Sequence, residues 1–160
     1  LIATSNPCPC GYLFSEKPCT CTPSQIQRYQ KKLSGPILDR IDIHVTVGMI
    51  DHENILKTAT ERKNHVLQET VSAARTKQYA RQRQTLNSNL SNTELKKYGN
   101  LQESAELLLN KAADSLELSP RSYIRTIKVA RTIADIENSE AIQNQHISEA
   151  LQYRPRKQTY

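Results

Sequence analysis

The sequence predicts a mainly α-helical protein. A short mixed segment over residues 1–50 leads into an all-helical segment over residues 51–160, with four to five helices. Three observations predict this. Ile41, Ile43, Val45 and Val47 alternate with Asp42, His44 and Thr46, and this is the last strand signal in the chain. Beyond Gly48 the apolar residues recur at helical spacing. Cap residues punctuate that second stretch, with Ser119-Pro120 as a start and Gly99-Asn100 as a stop.

The elements follow in order. Residues 1–6, which include LIATSNP's apolar start, read as the end of a buried strand. A buried strand needs neighbours, so the start looks cut from a longer protein. Residues 7–21 form a Cys- and Pro-rich loop. Thr22 as N-cap with Pro23 at the first helical position opens a helix to about Leu33, and Ser34-Gly35-Pro36 stops it. Ile41 to Val47 is the strand. A long helix spans about Glu61 to Gln84, with Val66, Val71, Ala74 and Tyr79 near one face. Its cations (Arg62, Lys63, Arg75, Lys77, Arg81, Arg83) spread around the circumference and read as surface. Asn87–Asn92 is a polar loop, and Thr93–Tyr98 a short helix closed by Gly99. Residues 102–117 place Ala105, Leu108, Leu109, Ala112, Ala113 and Leu116 at helical spacing. Ser119-Pro120 starts a helix through about Glu137, and Asn144 to about Tyr153 is the last. From Arg154 onward the chain reads as a frayed basic tail. There is no internal repeat. The first segment has too little chain to bury its own core, whereas the second could fold alone.

A net charge of +6 favours a polyanionic partner, nucleic acid or nucleotide phosphate. A solvated surface with a slight basic bias is the plainer account. No apolar run approaches the ~20 residues of a membrane span, and no signal peptide is present. These predict a soluble cytoplasmic protein with no membrane partner.

All four cysteines fall within Cys8–Cys21, in the pattern Cys8-x-Cys10-x8-Cys19-x-Cys21. Four thiolates so close match the tetrahedral all-cysteine set of structural zinc sites. The C-x-C pairs are tighter than the commoner C-x-x-C knuckle. Two disulfides, disfavoured in a reducing cytosol, or four free thiols are the alternatives. Four protein ligands leave no open position, so a structural rather than a catalytic Zn2+ is the metal reading.

Three stretches occur in order: Asn6-Pro7-Cys8-Pro9-Cys10-Gly11-Tyr12, then Ser34-Gly35-Pro36-Ile37-Leu38-Asp39-Arg40-Ile41-Asp42-Ile43-His44, then Leu118-Ser119-Pro120-Arg121-Ser122-Tyr123 leading to Val129-Ala130-Arg131-Thr132-Ile133-Ala134-Asp135. Together they resemble the C-terminal half of the magnesium-chelatase-like AAA+ ATPases of the ComM (YifB) family, over nearly the whole chain. The resemblance implies that residues 1–50 are the distal piece of an α/β AAA+ core and 51–160 a helical lid. It implies that Asn6 is the sensor-1 residue orienting the attacking water, that Arg40 is the arginine finger reaching the neighbouring subunit's nucleotide, and that Arg121 is the sensor-2 contact to the γ-phosphate. It also implies ATP and Mg2+ as cofactors, the upstream half of the chain and neighbouring ring subunits as partners, and DNA as the substrate, in branch migration or competence. Porphyrin metallation does not follow from the family name.

Each residue has a plainer reading. Asn6 could cap the turn before Pro7, and Arg40 could pair locally with Asp39 or Asp42 at little gain. Arg121 could be an ordinary first-turn residue, although a cation there opposes the helix dipole. On the same helix, Arg121, Arg125, Lys128 and, at the edge, Arg131 form a basic stripe opposite Tyr123, Ile127, Ala130, Ile133 and Ala134. None of Gly11, Gly35, Gly48 and Gly99 is followed by Lys, so no phosphate-binding loop is present. By itself the chain is therefore not expected to hydrolyse a nucleotide. His44, His52, His65 and His146 are scattered and read as structural or exposed. A zinc-stapled helical module for nucleic-acid binding or oligomerisation is the alternative function.

Overall fold

The computed structural model describes residues 1–32, 35–48 and 61–155. The chain divides into two compact units, Leu1–Lys57 with Pro155–Tyr160, and Thr58–Arg154.

In the first unit, helix α1 spans Pro23–Gln30. Thr22 Oγ1 accepts from the Gln25 N–H, and Gln25 Oε1 accepts from the Thr22 N–H at 2.8 Å, a reciprocal cap on two of the helix's orphan donors. Leu33 and Ser34, expected at the helix end and in its stop, lie outside the described residues. Gly35–Leu38 forms a short helix, α2, where only a stop was expected. Proline fits a first helical turn, where its missing N–H has no intrahelical partner.

The expected strands do not form among the described residues. Ile41–Val47 is neither helix nor paired strand, with Ile43, Val45 and Val47 at 51%, 68% and 79% exposure. Leu1 and Ile2 are fully exposed too. An alternating pattern becomes a strand only when a neighbour completes its ladder of hydrogen bonds. No such neighbour lies among the described residues.

The second unit is helical. Helix α3 spans Glu61–Arg81, followed by a 3-10 turn at Asn87–Asn89. Helices α4 (Asn92–Tyr98), α5 (Glu103–Leu116), α6 (Pro120–Ile136) and α7 (Asn144–Gln152) complete it. Helix α3 ends three residues before the expected Gln84 because Arg83 and Gln84 turn left-handed, at φ 54° and 63°. Ser91 and Glu94 cap α4 reciprocally. Gly99 closes α4 for lack of room rather than for conformational freedom. A Cβ there would stand 2.5 Å from the Leu95 carbonyl oxygen.

The core holds Leu90, Leu95, Ala105, Leu109, Ile127, Ala130, Ile133, Ile142, Ile147 and Ala150. Each fully buried Leu or Ile of this set contributes ~1.5–3 kcal/mol. Helix α6 lies at the centre and packs on α3, α7 and the 3-10 turn, while α5 packs on α7. A bridge between Leu101 and Ile142 ties the α4–α5 link to the α6–α7 link, with the Ile142 N–H on the Asn100 carbonyl at 2.8 Å. Two apolar faces read from the sequence are less buried than expected. Of the four apolar residues read on α3, Ala74 is covered, and Val66, Val71 and Tyr79 stay exposed. On α5, Leu116 is 48% exposed, because the chain breaks left-handed at Glu117 one residue on. No helix among the described residues is long and apolar enough to cross a membrane.

Candidate functional site

The cysteine loop folds back on itself so that all four sulfurs lie within 4.8 Å of one another. Gly11 makes this possible. At φ 82° it takes a left-handed turn that suits glycine, and its N–H donates to the Cys8 carbonyl at 3.1 Å. Cys8 Sγ is 3.4 Å from Cys10 Sγ and 3.7 Å from Cys19 Sγ, and Cys10 and Cys19 are 3.5 Å apart. A tetrahedral zinc site with Zn–S of about 2.3 Å has sulfurs about 3.8 Å apart. Three of the sulfurs thus already outline one face of that tetrahedron. All four cysteines are free thiols, well beyond the ~2.05 Å of a disulfide.

The thiols differ in their electrostatics. The Tyr12 N–H, aimed at Cys10, draws that thiol down to about 5 against the opposing effect of burial. At Cys19 the Cys21 N–H pulls downward, but burial and the Cys10 and Cys8 thiols outweigh it, and the group is pushed up to about 12. Cys21 is raised likewise, with the Cys10 N–H overcome by burial and the Cys10 thiol. The thiolate form is thus favoured at Cys10 and disfavoured at Cys19 and Cys21. The loop is moored to α1 by Gln30 Nε2, which donates to the Pro7 carbonyl at 3.0 Å.

Asn6 lies beside this loop. A Cβ on Gly11 would be 3.9 Å from Asn6 Cγ and Nδ2. Asn6 is exposed. Arg40 is exposed in the turn after α2, where its N–H donates to the Ile37 carbonyl at 3.0 Å. Arg121 belongs to the second unit. It is exposed at the second position of α6, behind Pro120 and the N-cap Ser119.

The basic stripe on α6 breaks up. Lys128 Nζ donates to the Ser88 carbonyl at 3.0 Å, and Arg125 is half-buried. Arg131, expected at the edge of a solvated stripe, is fully buried. Its Nη1 donates to the Gly99 and Glu140 carbonyls at 3.2 and 2.9 Å, and its Nη2 to the Ser139 carbonyl at 2.6 Å. Loop carbonyls that point inward need donors, and a five-donor guanidinium supplies several at once.

Arg131 also pairs with Asp135 at 3.1 Å, and Asp135 joins a network invisible in the pattern. Asn87 Nδ2 donates to Asp135 Oδ2 at 2.9 Å and to Thr132 Oγ1 at 3.0 Å. Lys77 Nζ donates to the Asp135 carbonyl at 3.0 Å, so neither Lys77 nor Arg81 is the plain surface cation expected. Asn87, expected in a polar loop, is 2% exposed. Arg81 and Asn87 hold the Asp135 carboxyl below the usual carboxylate range although burial opposes this.

Among the histidines, His146 is fully buried. Its Nδ1 accepts the Gln143 N–H at 2.9 Å, which leaves Nε2 to donate to Glu137 Oε2 at 3.0 Å. His65 is exposed beside Glu69, His44 reaches the Leu38 carbonyl, and His52 lies outside the described residues.

Arg154 is another departure. It is 6% exposed rather than frayed, and its Nη2 donates to Ser122 Oγ at 2.7 Å. A terminal position after the last apolar residue gave no hint of this.

Comparison with known proteins assigns the family. A family model described as magnesium chelatase, subunit ChlI C-terminal, matches residues 61–154, and one described as magnesium chelatase, subunit ChlI, matches residues 1–55. Over 155 residues the chain is 37% identical to uncharacterized protein YifB of Escherichia coli K12, 38% to its Salmonella typhimurium namesake and 35% to competence protein ComM of Haemophilus influenzae. Each alignment covers 96% of this chain and 30% of the relative's length. With more than half its residues matched by the C-terminal model, the chain belongs to the magnesium chelatase ChlI family.

Proposed function

We propose that this chain is the distal part of a ring-forming AAA+ ATPase, with residues 1–50 completing the ATPase core and residues 51–160 forming its lid. The upstream half of the same protein supplies the phosphate-binding loop and the Mg2+ carboxylates. Asn6 orients the attacking water, Arg121 contacts the γ-phosphate from the lid, and Arg40 reaches the nucleotide of the neighbouring subunit.

The observation that carries this reading is Arg121. It projects into solvent from the first turn of α6, whose other end is fastened through Arg131 and Asp135. A cation at that end of a helix is unfavourable alone and favourable beside a phosphate. A net charge of +6, and a relative named as a competence protein, make DNA the substrate class to test.

The test is ATP turnover by the intact protein. Arg40→Ala is expected to lower kcat by about 10³-fold or more, as loss of an arginine finger does, while nucleotide binding survives. Normal turnover by Arg40→Ala would remove the finger assignment. The 160-residue chain alone is expected to turn over no ATP. Salt-sensitive DNA binding by that chain alone would favour a free-standing nucleic-acid-binding module instead.

The four cysteines hold one structural Zn2+ in the same reading, supported by the mutual spacing of their sulfurs. Metal analysis of freshly purified protein is expected to give about one equivalent. Less than about a tenth of an equivalent would rule the site out.

A further inference from the structure

We propose that Arg154 is a positioning residue for Arg121, fixing the turn from which Arg121 projects. The inference rests on the reading of Arg121 as a γ-phosphate contact.

Arg154 is anchored at both ends. Its N–H donates to the Leu151 carbonyl at 3.1 Å, just past α7, and its guanidinium is buried against the start of α6. There the Ser122 hydroxyl accepts two donors, Arg154 Nη2 at 2.7 Å and Ser119 Oγ at 3.2 Å. The Ser122 N–H is held by Ser119 Oγ at 3.1 Å, and the Ser122 carbonyl accepts from Thr126 Oγ1 at 2.9 Å. Ser119 and Ser122 are thereby locked together. Pro120, between them, has its φ fixed by its ring. Arg121 is the one remaining residue of the turn, so its backbone direction follows from its neighbours.

Charge supports a functional reason for the arrangement. Arg121 and Arg154 are two cations at the positive end of one helix, and both oppose its dipole. Positive charge concentrated at an exposed helix start becomes favourable when a phosphate arrives.

The experiment is a cycle in the intact ATPase. Arg154→Met and Ser122→Ala are each made with Arg121 present and in the Arg121→Ala background, and KM for ATP, kcat and thermal midpoint are measured. With Arg121 present, both are expected to raise KM about fivefold or more. In the Arg121→Ala background, neither should raise it further. Arg154→Lys, which keeps the charge without the planar fork, should fall between wild type and Arg154→Met. An equal rise in KM in both backgrounds would overturn the proposal, as would a lowered thermal midpoint with KM unchanged. Should Arg154→Met not fold, Ser122→Ala decides, since it deletes only a hydroxyl. Failure of the underlying reading looks different: Arg121→Ala alone would then leave KM and kcat at wild-type values.

Discussion

The carboxylate of Asp135 receives both ends of the Arg81 guanidinium, Nη1 on Oδ1 at 2.6 Å and Nη2 on Oδ2 at 2.9 Å, from a helix 54 positions earlier in the chain. The Asp135 side chain is 1% exposed and its second cationic partner, Arg131, is 0% exposed. One anion thus holds α3, α6 and the 3-10 turn together. Removing one partner of a buried pair leaves the other charge uncompensated, at about 3–5 kcal/mol. Asp135→Ala should therefore destabilise the chain by about that amount. Urea denaturation followed by circular dichroism measures it, and a loss under about 1 kcal/mol would demote the network to surface decoration.

The same carboxylate predicts acid lability. Its folded pKa lies below its unfolded value, held there by Arg81 and Asn87 against burial. A depressed carboxylate contributes its stability fully above the unfolded pKa and loses it as pH falls through the folded pKa. The advantage of wild type over Asp135→Asn should hold from pH 7 to about pH 5 and shrink below about pH 4. Denaturation midpoints of both proteins across that range test the sign, and an advantage that grows on acidification would contradict it.

Gly99 makes a steric prediction that its backbone angle hides. With φ at −66° it could accept any residue by conformation alone. A Cβ would nevertheless collide with the Leu95 carbonyl, and the Gly99 carbonyl already accepts from the buried Arg131. Gly99→Ala should cost about 1–3 kcal/mol, in the range of overpacked sites. Gly48→Ala, where no atom lies within 4 Å, should change stability by less than about 0.5 kcal/mol. The paired thermal shifts check the contrast.

These predictions show what was legible in the sequence. The helices of the second unit are readable because Ser119, Pro120 and Gly99 are local signals, each acting within one turn. The clustering of the cysteines was readable for the same reason. The network was not, since Arg81, Asn87, Arg131 and Asp135 each resemble ordinary surface residues in their own windows. Only the tertiary packing brings them together, and polar partners of that kind leave no periodicity. Arg154 was hidden by its position past the last apolar residue of α7. The strand over Ile41–Val47 failed for the opposite reason: its local alternation is strong, but pairing is a non-local property.

The cysteine loop carries the last prediction. Its sulfurs are gathered around Gly11, and its link to α1 passes through Gln30 and the Pro7 carbonyl. In the zinc reading, metal removal takes away the folding energy that the metal supplies. Hydrogen exchange on the chelator-treated protein should then show reduced protection through Cys8–Cys21 and α1. Amides of α6 and α7 should keep their protection, because their hydrogen bonds and core belong to the second unit. Gly11→Ala, which places a side chain at φ 82°, should weaken metal retention in the same direction. Equal loss of protection in both units, or none in either, would show that the cysteines do not staple the first unit through a metal.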